Sequence, residues 1–111
     1  MKRCLPHFER NSNMKYTIEY LPSLSRDIYQ ISETLARYPN KAKRLFKEMD
    51  EKLLCLTDTP FMWEIFHAQP KYRKVVLEDH LLFYTVDEEQ RIVRVCRILY
   101  HRMNATLHLG E

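Results

Sequence analysis

The chain has 111 residues, of which 45% are hydrophobic and 30% are charged, and its formal net charge is +3. This length leaves room for one domain of ordinary globular composition. The absence of an 18-residue apolar run excludes a membrane-spanning helix. The single glycine excludes the glycine-rich phosphate loops of P-loop and dinucleotide-binding enzymes. The three cysteines include no CxxC pair and predict no zinc site, so we expect a protein without a metal or another cofactor.

The first residues differ from the rest of the chain. Residues 1–13 show no hydrophobic periodicity and no apolar stretch of the kind that a secretory signal needs. A strand-like run, KYTIEY, begins directly after Met14. We therefore predict a poorly ordered extension over residues 1–13 and one domain over residues 14–111, and Met14 could serve as an alternative translation start.

Two amphipathic helices are predicted next. Apolar residues recur at helical spacing, first at Leu24, Ile28, Ile31 and Leu35 and then at Ala42, Leu45, Phe46, Met49, Leu53 and Leu56. Pro22 suits the first turn of the first helix, and Pro39 disfavours helical geometry at the residue before it. The link between the helices is therefore short, and we expect an antiparallel helical hairpin.

The last third of the chain has the character of β-structure. Runs rich in branched and aromatic residues predict strands over Arg73–Leu77, His80–Val86 and Arg91–Tyr100, separated by short polar turns. The order β-α-α-β-β-β predicts an α+β fold in which the helical hairpin packs on one face of a four-stranded, mostly antiparallel sheet. The other face would stay partly open, and we expect function there.

These three strands resemble the C-terminal half of the toxins of the RelE/ParE family. Arg73 opens the second strand, and residues 84–87 (YTVD) lead the third strand into an acidic turn. The fourth strand carries Arg97 near its end and is followed by a tail that contains His101 and Arg102. With the first strand and the two helices included, the resemblance extends from residue 14 to residue 104.

The resemblance implies the toxin of a type II toxin–antitoxin system. Such a toxin is expected in the cytoplasm, neutralised by an acidic, partly disordered antitoxin. RelE-like members are metal-independent endoribonucleases that cut mRNA on the ribosome and so inhibit translation, whereas ParE-like members inhibit DNA gyrase without catalysis. Our first hypothesis is the endoribonuclease (an mRNA interferase). A ParE-like gyrase inhibitor and a non-toxic interaction module of the same fold are the alternatives, since a shared fold does not choose between them.

RNA cleavage without a metal requires a base for the 2′-hydroxyl group, cations for the phosphate and an acid for the leaving oxygen. The resemblance assigns the phosphate to Arg73 and Arg97, and the acid and base roles to His101 and Tyr100. It also leaves three candidates for RNA binding, namely Lys71, Arg102 and Tyr84.

Several of these residues could instead have purely structural roles. The two arginines could pair with carboxylates across the sheet, and Tyr84 could pack in the core with its hydroxyl group satisfied. If the fourth strand persists, Arg97 and His101 point to the same face, because they are four residues apart. Apolar residues occur at both parities of this strand, so alternation does not show which face carries the core.

Overall fold

The structure, a computed structural model, describes residues 15–109. The predicted extension over residues 1–13 lies outside the described residues. The elements are β1 (Thr17–Tyr20), α1 (Pro22–Thr34), α2 (Pro39–Leu56), β2 (Arg73–Leu77), β3 (His80–Asp87), β4 (Ile92–Tyr100) and α3 (Ala105–His108). The short helix α3 was not predicted from the sequence. Among the described residues, none of the helices is long and apolar enough to cross a membrane.

The four strands form one mixed sheet in the order β1-β4-β3-β2. Strand β1 runs parallel to β4, and the other two pairs are antiparallel. This arrangement confirms the predicted α+β fold with a mostly antiparallel sheet. A parallel pair needs a long connection, and the helical hairpin is part of the connection between β1 and β4.

The helical hairpin covers one face of the sheet, as the sequence predicted. Both helices have a proline in the first turn, Pro22 in α1 and Pro39 in α2, where the missing N–H group costs no helical hydrogen bond. Their apolar stripes and the facing strand residues form the main core, which includes Leu24, Leu45, Leu53, Leu56, Val75, Leu82, Tyr84, Val93, Val95 and Ile98. The aligned apolar faces therefore fix the hairpin on this side of the sheet.

A second, smaller cluster lies on the opposite face of the sheet. Phe83 and Leu99 pack there with Tyr72 and with Ala105 of α3. The hydroxyl group of Tyr72 also donates to the carbonyl oxygen of Leu109 over 3.0 Å. The face that was expected to be partly open is thus covered, over this area, by the residues before β2 and by the C-terminal helix.

A β-bulge in β4 explains why alternation did not assign its faces. Tyr84 lies opposite Val95, but the preceding residue, Phe83, lies opposite Arg97. Cys96 is therefore an extra residue on β4, and the alternation of side chains shifts at this point. Val95 and Ile98 consequently both belong to the main core, although they are three residues apart.

Helix α1 completes the edge of β4 that β1 leaves unpaired. Strand β1 pairs with β4 only as far as Val95. Beyond it, Ser23 Oγ donates to the carbonyl oxygen of Cys96 over 2.7 Å, and the amide of Ile98 donates to Asp27 Oδ2 over 3.1 Å. Side chains of α1 thus take the place of a neighbouring strand and satisfy backbone groups that would otherwise lack partners.

Two neighbouring leucines on α2 test the placement of the core. Leu53 is 3% exposed and Leu54 is 71% exposed. Leu53→Ala should lower the free energy of unfolding in urea by about 2–5 kcal/mol, because it leaves a cavity in the core. Leu54→Ala, the matched control, should change it by less than about 0.5 kcal/mol. Equal losses for the two variants would contradict the packing described above.

Candidate functional site

A cavity of about 520 Å³ lies between α1, the start of α2 and the adjoining ends of β3 and β4. Two of the predicted site residues, Arg97 and Tyr100, line it, whereas Arg73 and His101 do not. Its other polar residues include Asp27 of α1 and Lys41 of α2. The cavity combines charged groups with apolar walls, as small-molecule sites do, and it is the candidate functional site.

Arg97 is bound on both sides of its guanidinium group. Its Nε lies 2.7 Å from Asp27 Oδ2 and its Nη2 lies 2.8 Å from Asp27 Oδ1. This bidentate geometry is the strong form of an arginine–carboxylate ion pair. Its Nη1 donates to the carbonyl oxygen of His108. The hydrogen bonds with Asp27 raise the pKa of Arg97, while burial opposes them. Arg97 therefore connects α1, β4 and α3.

Asp27 is almost completely buried, at 9% exposure. Its carboxylate accepts the two hydrogen bonds from Arg97 and a third from the amide of Ile98. A buried carboxylate that loses its cation costs several kcal/mol. Removing Arg97 from this pair would consequently leave an uncompensated negative charge beside the cavity.

Arg73 has a different environment. Its Nη1 donates to the carbonyl oxygens of Trp63, over 2.7 Å, and of Phe61, over 3.3 Å. Its guanidinium carbon lies 5.1 Å from the centroid of the Phe61 ring, a cation–π contact. Arg73 thus fastens the loop that precedes β2 to the edge of the sheet.

The structure does not bring the two arginines together. In the strand register Arg73 lies opposite Tyr84, and Arg97 lies opposite Phe83. Tyr84 and Phe83 are consecutive strand residues that belong to the clusters on opposite faces of the sheet. This corrects the expectation that Arg73 and Arg97 share a site.

Tyr100 and His101 do lie together. Strand β4 ends at Tyr100, and the two rings stack with their centroids 4.8 Å apart and their planes 16° apart. Tyr100 is 41% exposed, and His101 is also exposed. Because the strand ends before His101, the four-residue spacing from Arg97 does not place His101 in the same cavity.

The three residues predicted to bind RNA have different environments. Tyr84 is fully buried, and its hydroxyl group donates to the carbonyl oxygen of Pro60 over 2.9 Å. A buried ring offers no face to a base, which corrects its prediction as a stacking platform. The ammonium group of Lys71 lies 5.2 Å from the centroid of the Tyr72 ring, and Arg102 is exposed.

Sequence reasoning missed a chain of polar contacts at the cavity. His80 is 7% exposed, and its Nδ1 lies 3.0 Å from Asp79 Oδ1. The other carboxylate oxygen of Asp79 accepts from Lys41 Nζ over 3.1 Å. Burial opposes the charged form of Asp79, but the hydrogen bonds from Lys41, its own amide and His80 lower the pKa of the carboxyl group.

One local signal could have indicated this group of residues. The Asp79-His80 pair stands at the turn between β2 and β3, where Glu78 has a positive φ of 50°. That turn places both side chains at the end of the sheet. Their partner Lys41 is 38 residues away along the chain, and no sequence pattern connects it to them. Within residues 15–109, no group of three or more His, Cys, Asp or Glu side chains could hold a metal ion.

Comparisons with known proteins agree with this architecture. The family model described as the ParE toxin of the type II toxin–antitoxin system parDE matches residues 18–105. A structure of the chromosomal ParDE system from P. aeruginosa is 15% identical, with a TM-score of 0.66, over 78% of this chain and 97% of that chain. A variant of the E. coli toxin RelE in the free state is 14% identical, with a TM-score of 0.64, over 86% of this chain and 93% of that chain. At these identities the two structures show the fold alone. No curated protein matches the sequence.

A double-mutant cycle tests the structural role of Arg97. Asp27→Ala and Arg97→Ala should each lower the free energy of unfolding by about 3 kcal/mol, since each leaves a poorly solvated charge. The double variant should show a coupling energy of about 1–3 kcal/mol. The control is the surface pair Arg94–Glu19, 2.8 Å apart, with side chains 34% and 50% exposed, for which we expect a much smaller coupling. Coupling at Asp27–Arg97 no larger than at the control would contradict the role described.

The burial of Tyr84 predicts a loss of stability at alkaline pH. Burial raises the pKa of Tyr84 to about 12. The nearby positive charge of Arg73 and a hydrogen bond with the backbone of Trp63 lower the pKa and partly offset this rise. The unfolded chain releases the proton near its ordinary pKa of about 10, whereas the folded protein keeps it up to about 12. The free energy of unfolding should therefore fall as the pH rises from about 10 to about 12.

Urea unfolding across this alkaline range would measure the loss. Tyr84→Phe should flatten the pH dependence, although it also removes the hydrogen bond to Pro60 and so lowers stability by about 1 kcal/mol at neutral pH. Tyr29→Phe changes a tyrosine that is 65% exposed and should leave the dependence unchanged. An unaltered slope in Tyr84→Phe would rule out Tyr84 as its source.

Proposed function

Because this chain belongs to the ParE toxin family of type II toxin–antitoxin systems, we propose that it is a non-enzymatic toxin that inhibits DNA gyrase. Inhibition of gyrase without catalysis is what the resemblance implies for ParE-like members. The proposed place of action is accordingly the cytoplasm. The observation that carries the proposal is the closed ion pair between Arg97 and Asp27.

The ion pair bears on the choice between a gyrase inhibitor and an endoribonuclease, because metal-free RNA cleavage depends on cations that are available to the phosphate. Arg97 could bind a phosphate with its full charge only by giving up Asp27, which is buried and accepts three hydrogen bonds. The Asp27 carboxylate would then repel the incoming phosphate. The guanidinium group of Arg73 is likewise already engaged, because it donates hydrogen bonds to the carbonyl oxygens of Phe61 and Trp63. The two guanidinium groups expected to bind the scissile phosphate thus hold the fold together.

The second candidate function is the ribosome-dependent endoribonuclease that cleaves mRNA. One observation favours it: His101 is exposed and stacked on Tyr100, with exposed Arg102 next to it. An imidazole and a phenol could act as acid and base, and the neighbouring arginine could bind a phosphate. This arrangement lacks the help of Arg73 and Arg97, so we place it second.

We also propose a cognate antitoxin as the physiological partner. The chain has a net charge of +3, which suits an acidic, partly disordered segment that folds on binding. Exposed apolar side chains such as Leu107, at 77% exposure, and Leu54, at 71% exposure, are available for such a segment. The solved ParDE system from P. aeruginosa, which shares the fold, is a toxin–antitoxin system by its description.

Expression of the chain without an antitoxin separates the functions. Incorporation of labelled thymidine should stop before incorporation of labelled methionine, because a blocked gyrase halts replication first. In vitro, the purified protein should inhibit supercoiling by gyrase and should leave mRNA on programmed ribosomes uncut. An early stop in methionine incorporation together with mRNA cleavage would replace the proposal by the endoribonuclease, and normal growth would favour a non-toxic interaction module.

A variant makes the same test at the level of single residues. His101→Ala removes the side chain that the endoribonuclease would need most, at an exposed position where folding should tolerate the change. Inhibition of supercoiling by this variant should stay within about threefold of the unchanged protein, on the reasoning that no proton transfer is involved. The control is His67→Ala, a second exposed histidine outside the cavity. If His101→Ala abolishes a ribosome-dependent cleavage activity that His67→Ala retains, the non-enzymatic proposal fails.

A further inference from the structure

The cavity beside Arg97 has features that inhibition of gyrase does not explain. Its volume of about 520 Å³ lies within the range of about 300–1,000 Å³ that is usual for small-molecule sites. Its walls include the apolar side chains of Ile31, Leu35, Leu99 and Met103. A polar group, His80, is almost completely buried at its margin.

The charged groups of the cavity cancel in pairs. Asp27 is paired with Arg97, and Asp79 is paired with Lys41. A ligand with a net charge would have to compete with one of these pairs and would leave one charge without its partner. The cavity therefore suits a neutral ligand.

His80 offers a hydrogen-bond acceptor to that ligand. Its Nδ1 is held by the Asp79 carboxylate at 3.0 Å, so Nε2 carries the lone pair when the ring is neutral. Within residues 15–109, no hydrogen bond to Nε2 is formed. A ligand N–H group in the cavity could therefore donate to Nε2.

Lys41 places a donor beside this acceptor. One carboxylate holds both groups, since Asp79 Oδ1 contacts His80 and Asp79 Oδ2 contacts Lys41. The imidazole and the ammonium group are therefore neighbours. The ammonium group has further N–H bonds beyond the one that Asp79 accepts, and these suit a carbonyl oxygen. The complementary edge of the ligand has an N–H group next to a carbonyl group.

Aromatic and apolar groups define the body of the ligand. The Tyr100 ring lines the cavity and lies edge-on to His80, with the centroids 5.6 Å apart and the planes at 69°. The same ring also stacks on His101, with the centroids 4.8 Å apart. A flat, neutral heterocycle would pack against such a surface.

From these observations we propose that the cavity binds a neutral nucleobase of the uracil or thymine type. The base would donate its ring N–H to His80 Nε2, accept from Lys41 at a carbonyl oxygen, and pack against Tyr100. The base could come from a free nucleoside or from an unpaired position of a single-stranded nucleic acid. The proposed base-binding site would be present whether the toxin inhibits gyrase or cleaves mRNA.

Calorimetric titration of the full chain with uridine tests the proposal, and 3-methyluridine is the matched ligand control. Uridine should bind in a saturable manner, and 3-methyluridine should bind at least about tenfold more weakly, because its methyl group replaces the N–H donor. A parallel titration with oligouridylate distinguishes the source: tighter binding of the oligomer than of uridine indicates a base in a single strand, and equal binding indicates a free nucleoside. Failure of both uridine and oligouridylate to bind, or equal binding of uridine and 3-methyluridine, would overturn the proposal.

Variants locate the binding in this cavity. His80→Leu should weaken the binding of uridine by at least about tenfold, and His67→Leu, an exposed histidine outside the cavity, should leave it unchanged. Tyr100→Ala changes a position with 41% exposure and should weaken the binding of uridine severalfold. Circular dichroism would show whether His80→Leu folds, and Tyr100→Ala tests the site if it does not. Unchanged binding in folded His80→Leu or in Tyr100→Ala would show that the base binds elsewhere.

Discussion

The ion pair between Asp27 and Arg97 joins three parts of the molecule that lie far apart in the sequence. Asp27 belongs to α1, Arg97 belongs to β4, and Arg97 also holds the carbonyl oxygen of His108 in α3. The Asp27 carboxylate binds the amide of Ile98 as well, so the same group closes the edge of β4. This interaction thus ties α1 to the end of the sheet and forms part of one wall of the cavity.

This dependence affects how function is inferred within the family. Arg97, to which the resemblance assigned the phosphate, has a carboxylate partner that is almost completely buried. Whether the arginine is available for catalysis is decided by a residue on a different element, some 70 positions earlier in the chain. Members with one fold can therefore differ in chemistry through the partner of a single cation. Our proposal of a non-enzymatic inhibitor follows from that partner.

The sequence predicted the elements of this fold well because hydrophobic periodicity and proline positions are local signals. The bounds of β2 agree with the prediction, and α1 and α2 begin at Pro22 and Pro39. The bulge at Cys96 was not predictable, since an extra strand residue leaves no mark in a run that is apolar at both parities. The site was predicted only in part. Arg97 and Tyr100 line the cavity, but the partners that decide their roles lie far away in sequence, and such long-range contacts have no local signature.

The way α1 meets β4 also bears on how the protein avoids self-association. A strand that extends beyond its neighbour presents free N–H and C=O groups, which can recruit a strand from another molecule and begin aggregation. Strand β4 is longer than β1, yet Ser23 and Asp27 occupy its carbonyl group at Cys96 and its amide at Ile98. A foreign strand would have to break both contacts and leave a carboxylate unsolvated before it could pair at this point. The residues that hold the helix in place thus also guard this part of the sheet against edge-to-edge polymerisation.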